Sequence, residues 1–147
     1  MESIGIIGVG KLGLCITLAL ENAGYNMVCY EKNDGLSSAI SNKSLETPEP
    51  GVKESLEKAR SITMVDSLVP IYRLPVAFIV VATPSLENGA YNHSAVDEVV
   101  GELLRLNRAD PSYERSATNE VNFYLKKSFL ILIIIVICVL LFLNVLL

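Results

Sequence analysis

Three glycines, Gly8, Gly10 and Gly13, stand between two runs of different periodicity. Before them, residues 3–9 form a short, apolar, β-branched-rich run, the pattern of a strand buried on both faces. After them, Leu12, Cys15, Ile16, Ala19, Leu20 and Ala23 recur at i, i+3, i+4, i+7, i+8 and i+11, one stripe of a helix. Gly24 suits the C′ position that ends such a helix. Residues 26–31, NMVCYE, then read as a second strand. Two strands joined by a helix of this length predict a right-handed βαβ unit with parallel strands.

Within that unit, Gly8-Val9-Gly10-Lys11-Leu12-Gly13 fits G-x-G-x-x-G. Gly8 allows the tight turn out of the strand, Gly10 lets a pyrophosphate approach the backbone, and Gly13 lets the helix pack close to the sheet. Phosphates are expected at the helix N-terminus, where free N–H groups and the dipole favour negative charge. Glu31 closes the second strand 18 residues after Gly13. A carboxylate there accepts hydrogen bonds from the adenosine ribose and repels a 2′-phosphate, so NAD is favoured over NADP, with Lys32 softening the preference slightly. Plain βαβ packing without a ligand is the competing reading of the same residues.

Further along, residues 34–42 are expected to make one or two helical turns. TPEPGV interrupts regular structure, and residues 52–60 read as a short helix with Glu and Lys on its wet face. Residues 61–65 are a third strand, residues 70–75 are irregular, and VAFIVVATP from Val76 is a strongly buried fourth strand. Ser94 with Asp97 resembles a capping box, ahead of a helix whose buried stripe is Val96, Val99, Val100 and Leu103.

Composition shifts sharply after this point. Residues 107–128 are polar and aperiodic, the composition of a linker. In residues 129–147, Asn144 is the single non-apolar residue and no charge occurs. At ~1.5 Å per residue such a run crosses most of a ~30 Å hydrocarbon core as a helix. Lys126 and Lys127 precede it, so the expectation is a single-pass C-terminal tail anchor in a membrane with the N-terminal domain cytosolic. No signal peptide is read at the start, because the apolar run at residues 4–9 is short, broken by glycine and lacks a basic flank.

A net charge of −4 and a pI near 5.0, with no basic stripe, exclude nucleic acid as a partner. Cys15, Cys29 and Cys138 are scattered without metal spacing. Cys15 and Cys29 lie in apolar patterns and are expected to be small buried thiols. His93, the one histidine, reads as a surface or cap residue. Glu49 and Glu87 could face the pocket, but no carboxylate pair has a defined spacing. Lys11 is expected to be solvated or near phosphate. No catalytic and no metal-binding residue is assigned.

Four segments in order resemble the NAD-binding part of the UDP-glucose/GDP-mannose dehydrogenase family: IGIIGVGKLG, Glu31, PEPGVKESL at 48–56, and FIVVATPSLENGAYNHSAVDEVV at 78–100. The resemblance covers residues 3–104. It matches the family's E-P-G segment to Glu49-Pro50-Gly51, and its T-P motif to Thr83-Pro84, which it implies lies beside the cofactor near the nicotinamide ribose. The family commonly has Asp where this chain has Glu31. The resemblance further implies oxidation of a sugar-nucleotide alcohol to a carboxylate in two NAD-dependent steps. The cysteine nucleophile for that chemistry sits in a G-x-C-x-x-K-D-like segment, with a lysine and an asparagine nearby. Nothing here matches that segment, and the chain departs from the family pattern at NRADPSYERS.

The expected architecture is α/β, a partial Rossmann doubly wound parallel sheet with strand order 3-2-1-4 plus a C-terminal transmembrane helix. Its divisions are a truncated NAD-binding domain at 1–106, a linker at 107–128 and a membrane helix at 129–147. The cofactor-binding residues are Gly8, Val9, Gly10, Lys11, Leu12, Gly13, Glu31, Thr83 and Pro84. Ending the sheet at the fourth strand leaves an open edge for a second polypeptide or a copy of the chain to cover. The expected function is NAD binding by an oxidoreductase portion that lacks its own catalytic domain. A non-catalytic membrane adaptor or the relic of a broken gene are the alternatives.

Overall fold

The computed structural model describes residues 2–109. The order is β1 (Ser3–Ile7), α1 (Lys11–Asn22), β2 (Asn26–Tyr30), α2 (Asp34–Ser41), α3 (Val52–Lys58), β3 (Ile62–Val65), α4 (Val69–Tyr72), β4 (Ala77–Ile79) and α5 (Ser94–Ala109). All three strand pairings are parallel and the sheet order is β3-β2-β1-β4, as the sequence predicts. The register places Ile6 between Cys29 and Phe78, and Cys29 between Ile6 and Met64.

Side chains alternate across β1 because successive residues of a strand point to opposite faces. Ile4 and Ile6 join one core with Leu14 and Leu18 of α1, Ile40 of α2, and Val52 and Leu56 of α3. Ile7 joins a second core with Leu68, Ile71 of α4 and Val99 of α5. The sheet is therefore covered on both faces, which is why residues 4–7 of β1 are apolar and buried. Gly5 has a packing role there: a Cβ would come within 2.6 Å of Ile71 Cγ2, so its absence lets α4 seat against the sheet.

Several local expectations are revised by tertiary packing. The buried residues of α1 are Gly13, Leu14, Thr17 and Leu18, whereas Leu12 and Cys15 are exposed. The helix is rotated from its apolar stripe because Gly13 must face Gly8, and Thr17 satisfies its own hydroxyl by donating to Gly13 O at 2.8 Å. Residues 69–72 form a helical turn where irregular chain is expected. Pro70 is tolerated in its first turn, where an amide N–H has no intrahelical partner anyway. The fourth strand is three residues long, and Val76 and Ile79 are partly exposed. Among the described residues β4 has one neighbouring strand, so a run that reads as fully buried is covered on one side. In α5, Val99 with Leu103 and Leu106 packs inward, while Val100 is exposed. Ser94 is the helix's first residue, and its N–H donates to Asn92 Oδ1 at 2.9 Å in place of the expected Ser94–Asp97 box.

The expectation of a C-terminal transmembrane helix is corrected: among the described residues no helix is long and apolar enough to cross a membrane. The longest, α5, has 16 residues and carries Asp97, Glu98, Glu102, Arg105 and Arg108. At ~1.5 Å per residue it falls short of a ~30 Å core, and its charges forbid burial in lipid. The apolar run at 129–147 lies outside the described residues. The architecture established is the parallel sheet with its helices, and the sheet lies within a compact unit, Met1–Leu106.

Candidate cofactor site

The site is built at the carboxyl ends of β1 and β2. After Ile7 the chain turns at Gly8, whose φ of +93° is a left-handed conformation that favours glycine. A Cβ at Gly8 would also lie 2.4 Å from Val80 O, and one at Gly13 would lie 2.0 Å from Gly8 O. These two glycines are thus required by close backbone approach. Gly10 differs: among the described residues nothing lies within 4 Å of its Cβ position, and it is exposed at the N-cap of α1. No side chain caps α1 and no acidic residue occupies its first turn. Among the described residues nothing covers the positive end of the helix over Gly10, an arrangement that suits an anion.

Glu31 follows β2 and reaches across to this turn. Its Oε2 accepts the Val9 N–H at 2.8 Å, and its Oε1 accepts the Asn33 N–H at 2.9 Å. Val9 is fully buried, and Gly8 N–H donates to Tyr30 O at 2.8 Å, so turn and strand end are joined by two bonds. Asn33 also accepts the Leu36 N–H at 3.0 Å, capping α2. A carboxylate has about four acceptor positions, so two remain for ribose hydroxyls. Beside Glu31 an open cleft of about 390 Å³ runs along the ends of β2 and β3 to α2, lined in part by Asp34, Ser37, Ser41, Met64 and Asp66. Its lining is mostly polar, with hydroxyls from Ser37, Ser38 and Ser41 and a small apolar patch at Met64 and Val65. Backbone approach at Gly10, an uncapped helix end and a carboxylate between turn and cleft together match the parts of a dinucleotide.

The other expected residues are placed less centrally. Lys11 is exposed, with Nζ 3.0 Å from Glu49 Oε1, which ties the glycine turn to Glu49-Pro50-Gly51. Leu12 is exposed on the first turn of α1. Thr83 and Pro84 are exposed beyond β4, at the same end of the sheet as the turn. Val80 N–H donates to Ile7 O at 2.8 Å, fixing where that segment leaves the sheet. Pro84 O accepts the Asn92 N–H at 2.9 Å, forming the neck of a loop. Glu87 is exposed in this loop, away from the cleft lining, and His93 is exposed ahead of α5.

Two parts of the site escape a reading by pattern. Asn33 is legible only as a polar residue before a helix, the usual N-cap signature. Lys32 lines the cleft and pairs with Glu98 of α5 at 2.6 Å, a partner 66 residues away that no local pattern reveals. The hydrogen bond that Lys32 donates to Glu98 holds its ammonium above its ordinary pKa. Of the described thiols, Cys15 is exposed, against expectation, and Cys29 is buried as expected. Burial pushes the Cys29 thiol up to about 11, with a partial offset from Thr17, so it stays protonated and inert at neutral pH.

Comparison with known proteins agrees with this geometry. Residues 2–137 match the sequence model of the UDP-glucose/GDP-mannose dehydrogenase family, NAD binding domain. YtcA of Bacillus subtilis (strain 168), assigned by name as a UDP-glucose 6-dehydrogenase, is 26% identical over 101 residues, covering 68% of this chain and 24% of the relative. A UDP-glucose dehydrogenase from the archaeon Pyrobaculum islandicum has a similar fold, with TM-score 0.68, 23% identity, and coverage of 74% of this chain and 26% of that one. A GDP-mannose dehydrogenase from Pseudomonas aeruginosa, solved as a ternary complex, gives TM-score 0.64 and 23% identity over 68% of this chain and 24% of that one. This chain therefore spans about a quarter of the length of the relatives it matches. It belongs to the UDP-glucose/GDP-mannose dehydrogenase family, and the part it carries is that family's NAD-binding domain.

Proposed function

We propose that this chain is the NAD-binding portion of a UDP-glucose 6-dehydrogenase-like oxidoreductase, and that it holds the dinucleotide without oxidising a sugar nucleotide by itself. The observation carrying this reading is the bond from Val9 N–H to Glu31 Oε2, which sets the carboxylate between the glycine turn and the cleft. The pyrophosphate lies over Gly10 at the first turn of α1, between Gly8 and Gly13. Glu31 takes the adenosine ribose hydroxyls, and the adenine enters the cleft beside α2. Thr83 and Pro84 flank the nicotinamide-ribose side. Bound NAD supplies a hydride acceptor; the residues described here bind and orient it. Neither described thiol serves as a nucleophile at this site. Cys29 is buried and protonated, and Cys15 lies on the exposed face of α1, outside the cleft lining.

Calorimetric titration of the 147-residue chain with NAD, followed by UDP-glucose addition with NADH absorbance monitored, tests both halves. Binding without NADH formation is the expected result. Absence of NAD binding, or NADH formation by the purified chain alone, overturns the proposal. A second reading, an enzyme completed by another polypeptide or a second copy, is favoured by the outer edge of β4, which is unpaired among the described residues. On that reading, NADH forms only when the partner is added or as the chain self-associates.

A further inference from the structure

The cleft beside Glu31 is electrostatically one-sided. Its lining includes the carboxylates of Glu31, Asp34 and Asp66, and Lys32 is its one cation among the described residues. A 2′-phosphate on the adenosine ribose carries about two negative charges and needs a cation or several donors on this rim. Lys32 is placed to provide one, since it follows the ribose-binding carboxylate directly and its side chain is largely exposed. Its Nζ instead lies 2.6 Å from Glu98 Oε1, a carboxylate brought from the second turn of α5.

We propose that Glu98 is a specificity-determining positioning residue: by engaging Lys32 it draws the cleft's cation away and so disfavours a 2′-phosphorylated dinucleotide. This rests on the NAD-binding reading above and adds a second device to Glu31. Glu31 repels the phosphate directly, whereas Glu98 acts through Lys32. The division explains how a lysine can stand next to the acidic residue without relaxing the choice of cofactor. Both partners are exposed, so the pair is weakly held and its effect is modest.

The test measures dissociation constants for NAD and NADP on the full chain, as wild type, Glu98→Gln, and Glu98→Gln with Lys32→Met. Both side chains lie on the surface, and circular dichroism checks that each variant is folded. Glu98→Gln is expected to raise the affinity for NADP relative to NAD about fivefold, the scale of one exposed charge pair. Adding Lys32→Met is expected to abolish that gain. An unchanged ratio in Glu98→Gln overturns the inference, as does a gain that persists without Lys32, because Glu98 then acts by direct repulsion. If wild type binds NAD and the ratio does not move, the inference alone fails. If wild type binds no NAD, the functional reading fails and the inference with it.

Discussion

The carboxylate of Glu31 accepts the backbone N–H of Val9 at 2.8 Å, joining the end of β2 to the glycine turn that follows β1. The same carboxylate accepts Asn33 N–H, so one side chain orders the turn, the entry to α2 and the rim of the cleft. An Asp at this position has an arm one methylene shorter for the same reach. On the proposed reading, ligand binding and local order therefore share a residue.

Replacing Glu31 with Ala is expected to affect both. Loss of charge-assisted bonds to a ribose weakens NAD binding by ~1.5–3 kcal/mol, at least tenfold. The buried Val9 N–H loses its acceptor, which lowers folding stability by ~1 kcal/mol or more. Titration calorimetry and urea denaturation read the two effects separately. Intact NAD affinity in Glu31→Ala argues against the assigned role.

The three glycines should respond differently to substitution. Gly13→Ala places a Cβ at 2.0 Å from Gly8 O and is expected to cost ~3 kcal/mol or to abolish folding. Gly10→Ala meets nothing within 4 Å and is expected to keep stability within ~0.5 kcal/mol while weakening NAD binding. Thermal melts with and without NAD distinguish them. Equal destabilisation by both substitutions contradicts the structural assignment.

Cys29 predicts an alkaline stability loss. Its folded pKa is raised from 9.0 to about 11, so the fold favours the neutral thiol. That contribution, ~3 kcal/mol, is complete below pH 9 and is lost as pH rises through about 11, because the unfolded thiol ionises first. Urea midpoints between pH 8 and pH 11 should fall, and Cys29→Ala should flatten that slope. At pH 8 a thiol reagent should modify the exposed Cys15 peptide and spare that of Cys29, as peptide mass spectrometry will report.

Lys43 carries a separate stabilising role. Its Nζ donates to Glu57 O at 3.1 Å and to Ala59 O at 2.5 Å, satisfying carbonyls at the C-terminus of α3. It does so from a left-handed backbone, φ 56°. Lys43→Met keeps that strained φ and removes the cap, with an expected loss of ~1 kcal/mol in urea denaturation. Unchanged stability contradicts the cap.

Local pattern determined much of this molecule. The β-branched run of β1, the glycine spacing and the acid at position 31 specify a parallel βαβ unit, because each constrains the backbone within a few residues. The sheet order 3-2-1-4 is what the Rossmann resemblance implies, and the observed strand pairing agrees with it. Tertiary structure decided which face of α1 is buried. Thr17 does not read as a core residue, yet the close approach of Gly13 to Gly8 turns that face inward and leaves Leu12 and Cys15 outside. It decided the exposure of Ile79 and Val76 too, since a strand's burial depends on neighbours that its own sequence does not encode. The Lys32–Glu98 and Lys11–Glu49 pairs belong to the same category. Each joins residues distant in sequence, and charge pairing depends on where the folded chain places both ends.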